Sequence, residues 1–367
     1  MALKVPPHER IMPVELGAIL LPLLVSTITL LLPALVVGAA GRDAWISPWI
    51  AALYGAAVIA VATALHRRFP RMTVFEYSCR ILGPVAGWVL GALYTWFFFS
   101  SGVIVLRELA DLLVTTTLPR TPHAVLTGIE LLLAGAAVRQ GLRAIGRTNT
   151  LFAPLALLLF IAVFATAAPD AEPAHLQPLL EKGWTPVLQG AVLVQGFFGE
   201  LILLSILLPR MSEPRQAGKV AYAVLGVSAA VFSLTNAATT AIFGEYTGHL
   251  VYPFFSAARA STAIQLAVRI DPLVIALWVV SISTKITVFL YAAVVGLSRL
   301  CRIADYRCFV FPLAALAGVL SIAWFEGSAF VRSFVMYVFP FYALLFELVI
   351  PLTLWALAAS RGVRGAE

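Results

Sequence analysis

Long apolar stretches separated by short polar segments make up most of the chain. They lack the alternation of apolar and polar positions that marks a membrane-spanning β-strand. A helix that crosses a bilayer needs about 20 predominantly apolar residues, and ten stretches meet this requirement. The pattern therefore predicts ten transmembrane helices, over residues 13–40, 46–66, 85–113, 121–139, 145–168, 187–209, 218–243, 271–299, 307–325 and 331–359.

The composition excludes a soluble globular protein. The 367 residues are 61% hydrophobic and 12% charged, and the mean hydropathy is +0.96. Soluble domains carry about 25% charged residues, so this chain has roughly half the charge needed to cover a surface that faces water. Backbone polar groups inside lipid must be satisfied within the protein, and helices do this along their whole length. We therefore predict an all-α polytopic protein with a single integral membrane domain over residues 1–367.

The distribution of basic residues predicts the orientation of the helices. If the N-terminus is cytoplasmic, 17 of the 25 lysines and arginines fall on the cytoplasmic side, six fall on the outer side, and Arg107 and Lys285 lie inside spans. Cytoplasmic loops carry an excess of Lys and Arg, so this bias predicts that both termini are cytoplasmic. The net charge of +7 is then a signal of topology, and nucleic acid is not an expected partner.

Ten spans divide into two halves of five with opposite topology. The predicted inverted five-plus-five repeat places repeat one at about residues 11–168 and repeat two at about residues 187–359. Transporters with inverted repeats bind their ligand near the bilayer midplane, where discontinuous helices present free backbone groups and helix dipoles. The first helix of each half, span one and span six, is therefore expected to be broken.

Each of these two helices carries residues that favour a break. In span one, Pro22 and Pro33 bracket the hydroxyl-rich segment 25–29, and in span six two glycines lie in the segment 195–200. Free amides and carbonyls at such breaks can hold the carboxylate and ammonium groups of an amino acid. Alternatively, the glycines serve close helix packing and the hydroxyls bond back to their own helix. The predicted ligand-binding residues are Val25, Ser26, Thr27, Gly196, Phe197, Phe198 and Gly199.

Four ionisable side chains fall near the middle of predicted spans, namely Glu130, Glu200, Lys285 and Glu347. A charge at this depth is costly enough to be a functional hypothesis by default. Lys285 could occupy the place of a coupling cation, carry a proton or pair with Glu200, and a permanently paired structural lysine is the alternative. Glu200 and Lys285 are therefore candidates for ion or proton coupling or for a buried pair.

Three charged residues mark the outer part of span three. Arg107 and Asp111 are four residues apart and share a helix face, with Glu108 beside them. They form a candidate outer gate, and a static ion pair at the interface is the alternative. The long outer segment 244–270, with helical character at 256–268, either caps an outer vestibule or simply connects two spans. Residues 71–84 predict a short interfacial helix.

Motifs for catalysis do not occur in the sequence. It has no phosphate-binding glycine loop, zinc-protease helix motif or nucleophile elbow, and its five histidines fall in loops or at span ends. We therefore expect no enzymatic activity, no metal and no cofactor.

Short motifs follow one another along nearly the whole chain, in segments 11–13, 32–33, 39–45, 68–70, 105–111, 118–122, 137–141, 181–184, 197–200, 252–254, 285–286, 291–293 and 305–307. No single motif is specific, but their order is. In this order they resemble the spore germination permease family, the B-type subunit of germinant receptors. In span one, Ser26-Thr27-Ile28 stands where a Gly-Thr-Gly-like break is expected.

The resemblance implies a branch of the amino acid, polyamine and organocation transporter superfamily. It further implies a location in the cell membrane or spore inner membrane, with a membrane-embedded A-type subunit and a lipoprotein C-type subunit as partners. The implied role is to bind a small germinant, typically an amino acid, and to signal to these partners. A proton-coupled amino acid permease and an accessory scaffold without ligand are the alternatives.

Overall fold

The computed structural model describes residues 6, 9–260, 271–325 and 327–365, and helices fill most of these ranges. The first half contains α1 (Pro13–Leu30), α2 (Leu32–Ala40), α3 (Ser47–Arg68), α4 (Val74–Leu82), α5 (Pro84–Thr116), α6 (His123–Gln140) and α7 (Leu142–Ala167). The second half contains α8 (Trp184–Phe198), α9 (Leu204–Leu207), α10 (Pro214–Phe243), α11 (Pro253–Ala260), α12 (Asp271–Leu300), α13 (Val310–Ala323), α14 (Ser328–Tyr337), α15 (Phe339–Leu344) and α16 (Ile350–Ser360).

Several shorter helical turns connect or interrupt these helices. One π-helical turn, Leu345–Val349, joins α15 to α16. An isolated parallel bridge pairs Ile11 with Met211. The 3-10 turns are Gly41–Asp43, Ala168–Asp170, Pro173–Leu176, Gly199–Leu203, Leu208–Arg210, Gly244–His249 and Tyr306–Phe309.

Nine helical segments within the described ranges are long and apolar enough to cross a membrane. They match nine of the ten predicted spans. The remaining predicted span, 121–139, is the 18-residue helix α6. It is less apolar than the other nine because it carries His123, Glu130, Arg139 and Gln140. The nine segments are Pro13–Leu30, Ser47–Arg68, Pro84–Thr116, Leu142–Asp170, Trp184–Arg210, Pro214–His249, Trp278–Leu300, Tyr306–Ala323 and Phe339–Ser360.

Large apolar side chains cover much of the outside of this bundle. Leu53, Leu132, Leu133, Leu151 and Leu158 are each between 62% and 72% exposed. Water would penalise so much exposed leucine, whereas lipid tails are as apolar as the side chains themselves. The chain is therefore a multi-pass, all-helical integral membrane protein.

The predicted interfacial helix is present as α4. Glu76 caps its first turn by accepting hydrogen bonds from the backbone amide of Thr73 at 2.8 Å and from the Thr73 hydroxyl at 3.2 Å. Gly83 ends the helix with φ of +90°, a conformation that favours glycine. The chain then turns directly into α5 through Pro84. Of the predicted outer helix 256–268, only 256–260 lies in the described residues, where it belongs to α11.

Span one is broken, but its break differs in position from the prediction. Helix α1 ends at Leu30 and α2 begins at Leu32, so the predicted segment 25–29 is regular helix. Pro33 has no amide hydrogen to donate to the carbonyl four residues earlier, which explains an interruption at Leu31. The hydroxyl of Thr29 donates to the carbonyl of Val25 at 2.8 Å. It therefore bonds back to its own helix, which is the alternative given above for this segment.

Span six changes its helical type near the predicted position. Helix α8 ends at Phe198, and the chain continues as the 3-10 helix Gly199–Leu203. A Cβ on residue 199 would lie 1.8 Å from Oε2 of Glu347 and 2.7 Å from Tyr54, so only glycine fits there. Because glycine has no side chain, the buried carboxylate of Glu347 can approach the backbone at residue 199.

Glycine also sets how closely α4 and α5 pack, which yields a prediction for stability. A Cβ at Gly87 would lie 2.2 Å from Cα of Cys79, and backbone atoms cannot move aside as a flexible side chain can. We expect Gly87→Ala to destabilise the fold by about 1–3 kcal/mol because it overpacks this contact. The measurement is the midpoint of thermal unfolding in one detergent.

Gly128→Ala in α6 is the matched control, because nothing lies within 4 Å of a Cβ built there. Alanine favours helix over glycine by about 1 kcal/mol, so this variant should unfold at the wild-type temperature or above it. Equal melting of the two variants would contradict the packing argument.

Candidate functional site

A buried ion pair lies at the centre of the bundle. Nζ of Lys285 is 2.7 Å from Oε1 of Glu200, and the exposed fractions of the two side chains are 0% and 3%. The ammonium group also donates to Oγ1 of Thr27 at 3.0 Å and lies 5.2 Å from the centre of the Phe197 ring. A cation over an aromatic face at this distance is favourable, most of all where water is absent.

Three helices bring these groups together. Lys285 lies on α12, Thr27 on α1, and Glu200 in the 3-10 turn that follows α8. Oε2 of Glu200 is buried and has no hydrogen-bond partner among the described residues. The carboxylate is therefore only partly satisfied by Lys285, and it retains the capacity to accept a further donor.

A second buried carboxylate adjoins the pair. Glu347 is fully buried, accepts a hydrogen bond from the hydroxyl of Tyr54 at 3.2 Å, and packs against Gly199. Its other oxygen has no partner in the described part of the chain. Glu347 lies in the π-helical turn, a rare feature that is frequent at functional sites. The sequence placed Glu347 near the midplane, but neither its role nor its contact with Tyr54 had a sequence signal.

The residues predicted to bind ligand divide into two groups in space. Thr27 and Phe197 contact Lys285 directly, and Gly199 contacts Glu347. Val25 and Ser26 instead line a mainly apolar cavity of about 40 Å³ together with Phe160, Phe254 and Trp278.

Two further residues of the set serve packing in this conformation. A Cβ on Gly196 would lie 3.0 Å from Ala343 and from Phe339, so its hydrogen permits close contact with α15. Phe198 is fully buried, and its Cβ lies 3.1 Å from a Cβ built on Gly55. The segment 196–199 thus touches three different helices.

The predicted outer gate separates into a fixed part and a free part. Nε of Arg107 is 3.0 Å from Oδ1 of Asp111, and Nε2 of His123 is 2.9 Å from the same oxygen. Arg107 also donates to the carbonyls of Ser321 and Phe325, so it ties α5 to the end of α13. Glu108 forms no hydrogen bond or ion pair with any described residue. It lines open space instead.

Two cavities meet at Glu108. The inner one, about 10 Å³, lies between Glu108, Phe197 and Glu200 and is at the lower limit for a single water molecule. The outer one, about 250 Å³, is called the vestibule here. Its lining residues are Leu30, Leu31, Glu108, Asp111, Val251, Tyr252, Ser328, Ala329, Val331 and Arg332.

A polar network closes the opposite, N-terminal end of the bundle. Glu9 is buried, accepts hydrogen bonds from the hydroxyls of Tyr291 and Tyr306, and lies 3.5 Å from Nε of Arg210. The bridge between Ile11 and Met211 holds the chain against this network. Sequence analysis missed Glu9, because a glutamate in a polar N-terminal segment has no local sign of burial.

In the ranges that the structure describes, no group of three or more His, Cys, Asp or Glu side chains could hold a metal ion. The three cysteines are free thiols.

A family model described as "Spore germination protein" matches residues 10–326 of the chain. The chain belongs to the spore germination protein family. The chain is 25% identical to spore germination protein KB of Bacillus subtilis over 325 residues, which is 87% of each chain. It is 22% identical to spore germination protein XB of Bacillus anthracis, over 68% of this chain and 70% of that one. The resemblance noted in the sequence is thus confirmed, and the family is not one of enzymes.

Solved transporter structures share its fold. MhsT in complex with L-phenylalanine superposes with a TM-score of 0.64 at 15% identity, over 95% of this chain and 89% of MhsT. Mhp1, a nucleobase-cation-symport-1 family transporter in a closed conformation, gives 0.65 at 14% identity, over 94% of this chain and 77% of Mhp1. The germination protein therefore has a transporter-like fold.

The buried ion pair predicts an unequal response to single and double substitutions. Removing one partner of a buried pair leaves an uncompensated charge, at a cost of about 3–5 kcal/mol, whereas replacing both can be neutral. We expect Lys285→Met and Glu200→Gln each to lower the unfolding midpoint. The double variant Lys285→Met with Glu200→Gln should unfold above the Lys285→Met variant, as thermal unfolding in one detergent would measure.

Arg120→Gln is the control for loss of a positive charge, since Arg120 is exposed and far along the chain from the pair. It should melt like the wild type. Additive losses in the double variant would show that the two side chains contribute independently, contrary to the pairing argument.

Proposed function

We propose that this protein is the B-type subunit of a germinant receptor, which binds a small germinant and signals to partner subunits. The support is its membership of the spore germination family together with its transporter-like fold. The ligand is an amino acid, and the partners are an A-type membrane subunit and a C-type lipoprotein. The protein lies in the spore inner membrane with both termini in the cytoplasm, as the excess of basic residues on that side favours.

The single observation that carries the ligand class is the partly satisfied ion pair between Lys285 and Glu200. A free amino acid brings one carboxylate and one ammonium group, and it can replace each member of the pair as the partner of the other. The carboxylate would contact Lys285 and Thr27, and the ammonium group would contact Glu200. No net charge is then added to the low-dielectric interior, where an unpaired ion would be costly.

Residues 25–27 of α1 and the 3-10 segment of span six supply the remaining contacts. In this proposal the ligand lies between Val25, Ser26 and Thr27 on one side and the segment 196–199 on the other. The space beside Glu200 is only about 10 Å³, so the helices must separate to admit an amino acid. The ligand would then favour a state that the empty protein rarely adopts, and partner subunits would respond to that state.

The same geometry supports the proposed arrangement of the chain as ten helices in an inverted five-plus-five repeat. Repeat one covers about residues 11–168 and repeat two about residues 187–359. The two interrupted helices, at Leu31 and at Gly199–Leu203, are the first of each half. Helix α6 completes the count of five spans in repeat one.

A proton-coupled amino acid permease is the second candidate, because the fold is shared with MhsT and Mhp1. In that case Glu200 or Lys285 carries the proton when the pair opens. Arg107, Glu108 and Asp111 then form the outer gate of the transport path.

Ligand binding predicts a thermal shift with the purified full chain in detergent, measured against the twenty L-amino acids, a sugar and a nucleoside. A ligand at about 100 times its dissociation constant stabilises the folded state by about 2.7 kcal/mol. We expect at least one amino acid to raise the unfolding midpoint in the wild type and in the Arg120→Gln control, and to raise it by less in Lys285→Met. A flat response of the wild type to every compound would favour the scaffold alternative.

Uptake into proteoliposomes separates sensing from transport. A sensing subunit should bind the amino acid found in the thermal screen but should not accumulate it. The measurement is uptake of that labelled amino acid under an imposed pH gradient, with protein-free liposomes as control. Accumulation that collapses when the gradient is removed would replace the receptor proposal by the permease.

A further inference from the structure

The vestibule and the central pair differ in the room they offer. A cavity needs about 10–15 Å³ to hold one water molecule. The space beside Glu200, about 10 Å³, therefore holds one water at most, whereas the vestibule of about 250 Å³ is many times larger. An amino acid fits the vestibule without any movement of the helices. In this conformation the vestibule, and not the space beside Glu200, has room for a small ligand.

The vestibule carries opposite charges on its two sides. Glu108 and Asp111 come from α5, whereas Arg332 comes from α14. Asp111 already has Arg107 and His123 as partners, which leaves Glu108 as the uncompensated carboxylate. Burial raises the pKa of Tyr252 to about 12, so its hydroxyl adds no charge to this set.

Glu108 and Asp111 are buried and incompletely bonded, and Arg332 is half-buried. Glu108 is 7% exposed and accepts no hydrogen bond from the described residues, and Oδ2 of Asp111 is buried without a partner among them. Arg332 donates a long hydrogen bond, 3.4 Å, to the carbonyl of Gly248. Buried polar groups are nearly always hydrogen-bonded in folded proteins, to protein or to water, so water or a ligand in the cavity completes this arrangement.

We propose that the vestibule is an amino acid binding site in its own right, in which Arg332 holds the carboxylate and Glu108 the ammonium group. Leu30, Leu31, Val251 and Val331 offer apolar surface for the ligand's side chain. A glutamate and an arginine that line the same cavity favour a zwitterion over a simple anion or cation, because either ion alone would meet one repelling charge. The proposal rests on the function proposed above and adds a second place for the same class of ligand.

Glu108 connects this site to the centre. It lines both cavities, and the inner one reaches Glu200 and Phe197. A ligand whose ammonium group is bound to Glu108 is therefore adjacent to the next carboxylate along the path. The vestibule selects the zwitterion, and the ion pair between Glu200 and Lys285 receives it when the helices separate.

The test removes one charge from the protein and one from the ligand. The probe is the L-amino acid that stabilises the wild-type chain most in the thermal screen, compared with its amide, which lacks the carboxylate, and its N-acetyl form, which lacks the ammonium group. Dissociation constants are measured by calorimetry on the full chain in nanodiscs. A hydrogen bond to a charged group is worth enough that Arg332→Gln should weaken amino acid binding at least about tenfold.

Coupling is the decisive observation. In Arg332→Gln, removal of the ligand carboxylate should cause a smaller loss than in the wild type, because the contact with Arg332 is already gone and only that with Lys285 remains, and Arg332→Lys should restore part of the affinity. Likewise, removal of the ligand's ammonium group in the N-acetyl form should cost less affinity in Glu108→Gln than in the wild type. Arg120→Gln, an exposed arginine outside the vestibule, should bind like the wild type. Each variant must elute and unfold like the wild type before binding is compared. If Arg332→Gln does not fold, the comparison of the amino acid with its N-acetyl form in Glu108→Gln decides.

Each contrary result has a separate meaning. Suppose that removal of the ligand carboxylate costs as much affinity in Arg332→Gln as in the wild type, but costs none in Lys285→Met. The ligand is then held at the central pair alone, which overturns the vestibule site and keeps the proposed function. Wild-type affinity in both Arg332→Gln and Glu108→Gln also overturns the vestibule site. If the wild type binds no amino acid at all, the proposed function itself fails and the vestibule site falls with it.

Discussion

The contact between Lys285 and Glu200 constrains how the helices of this membrane protein can be arranged. Either charge alone in an apolar interior would cost several kcal/mol, so the segments that carry them must pack against each other. Lys285 also binds Thr27, which brings α1 to the same point. The neighbouring residues of α12 extend this role, since Ser283 donates to Glu130 at 2.7 Å and Thr284 donates to Asn149 at 2.8 Å. One polar stretch thereby ties α12 to α1, α6, α7 and the turn after α8.

Interrupted helices follow from the same constraint. Glu200 lies just after the end of α8, in the 3-10 helix Gly199–Leu203. The change from an α-helix to a 3-10 helix alters which side chains face the bundle centre. Glycine at position 199 lets Glu347 approach the backbone of that turn, and the π-helical turn on the facing helix accommodates Glu347. Two irregular helices thus meet at two buried carboxylates. Such irregular backbone at membrane depth is tolerated only where protein or a cavity surrounds it.

The two ends of the bundle differ, and this difference gives the molecule a direction. Glu9, Arg210 and two tyrosines seal the N-terminal end with a buried network. The opposite end contains the vestibule, which leads by way of Glu108 towards the central pair. A small ligand therefore has room on one side of the pair and a packed polar barrier on the other.

Much of this architecture was open to prediction from local properties of the chain. The length of an apolar stretch decides whether it can cross a bilayer, and proline and glycine weaken a helix wherever they occur, so the spans, α4 and the region of the second break could be located. Charges at membrane depth are rare, so Glu200 and Lys285 stood out before their contact was known. The prediction was less accurate for span one, where the hydroxyls at 25–29 bond back to their own helix and the break falls at Leu31 instead.

Only the tertiary structure decided which distant segments of the chain contact each other. Glu9 is buried because Tyr291 and Tyr306 fold over it, nearly 300 positions away, and no local pattern encodes that contact. The vestibule likewise joins Leu31 and Glu108 to Arg332. The sequence by itself determined which helices span the membrane and which charges they carry, because these depend on neighbouring residues. Whether a charge is paired, and where space remains beside it, depends on how separate helices pack.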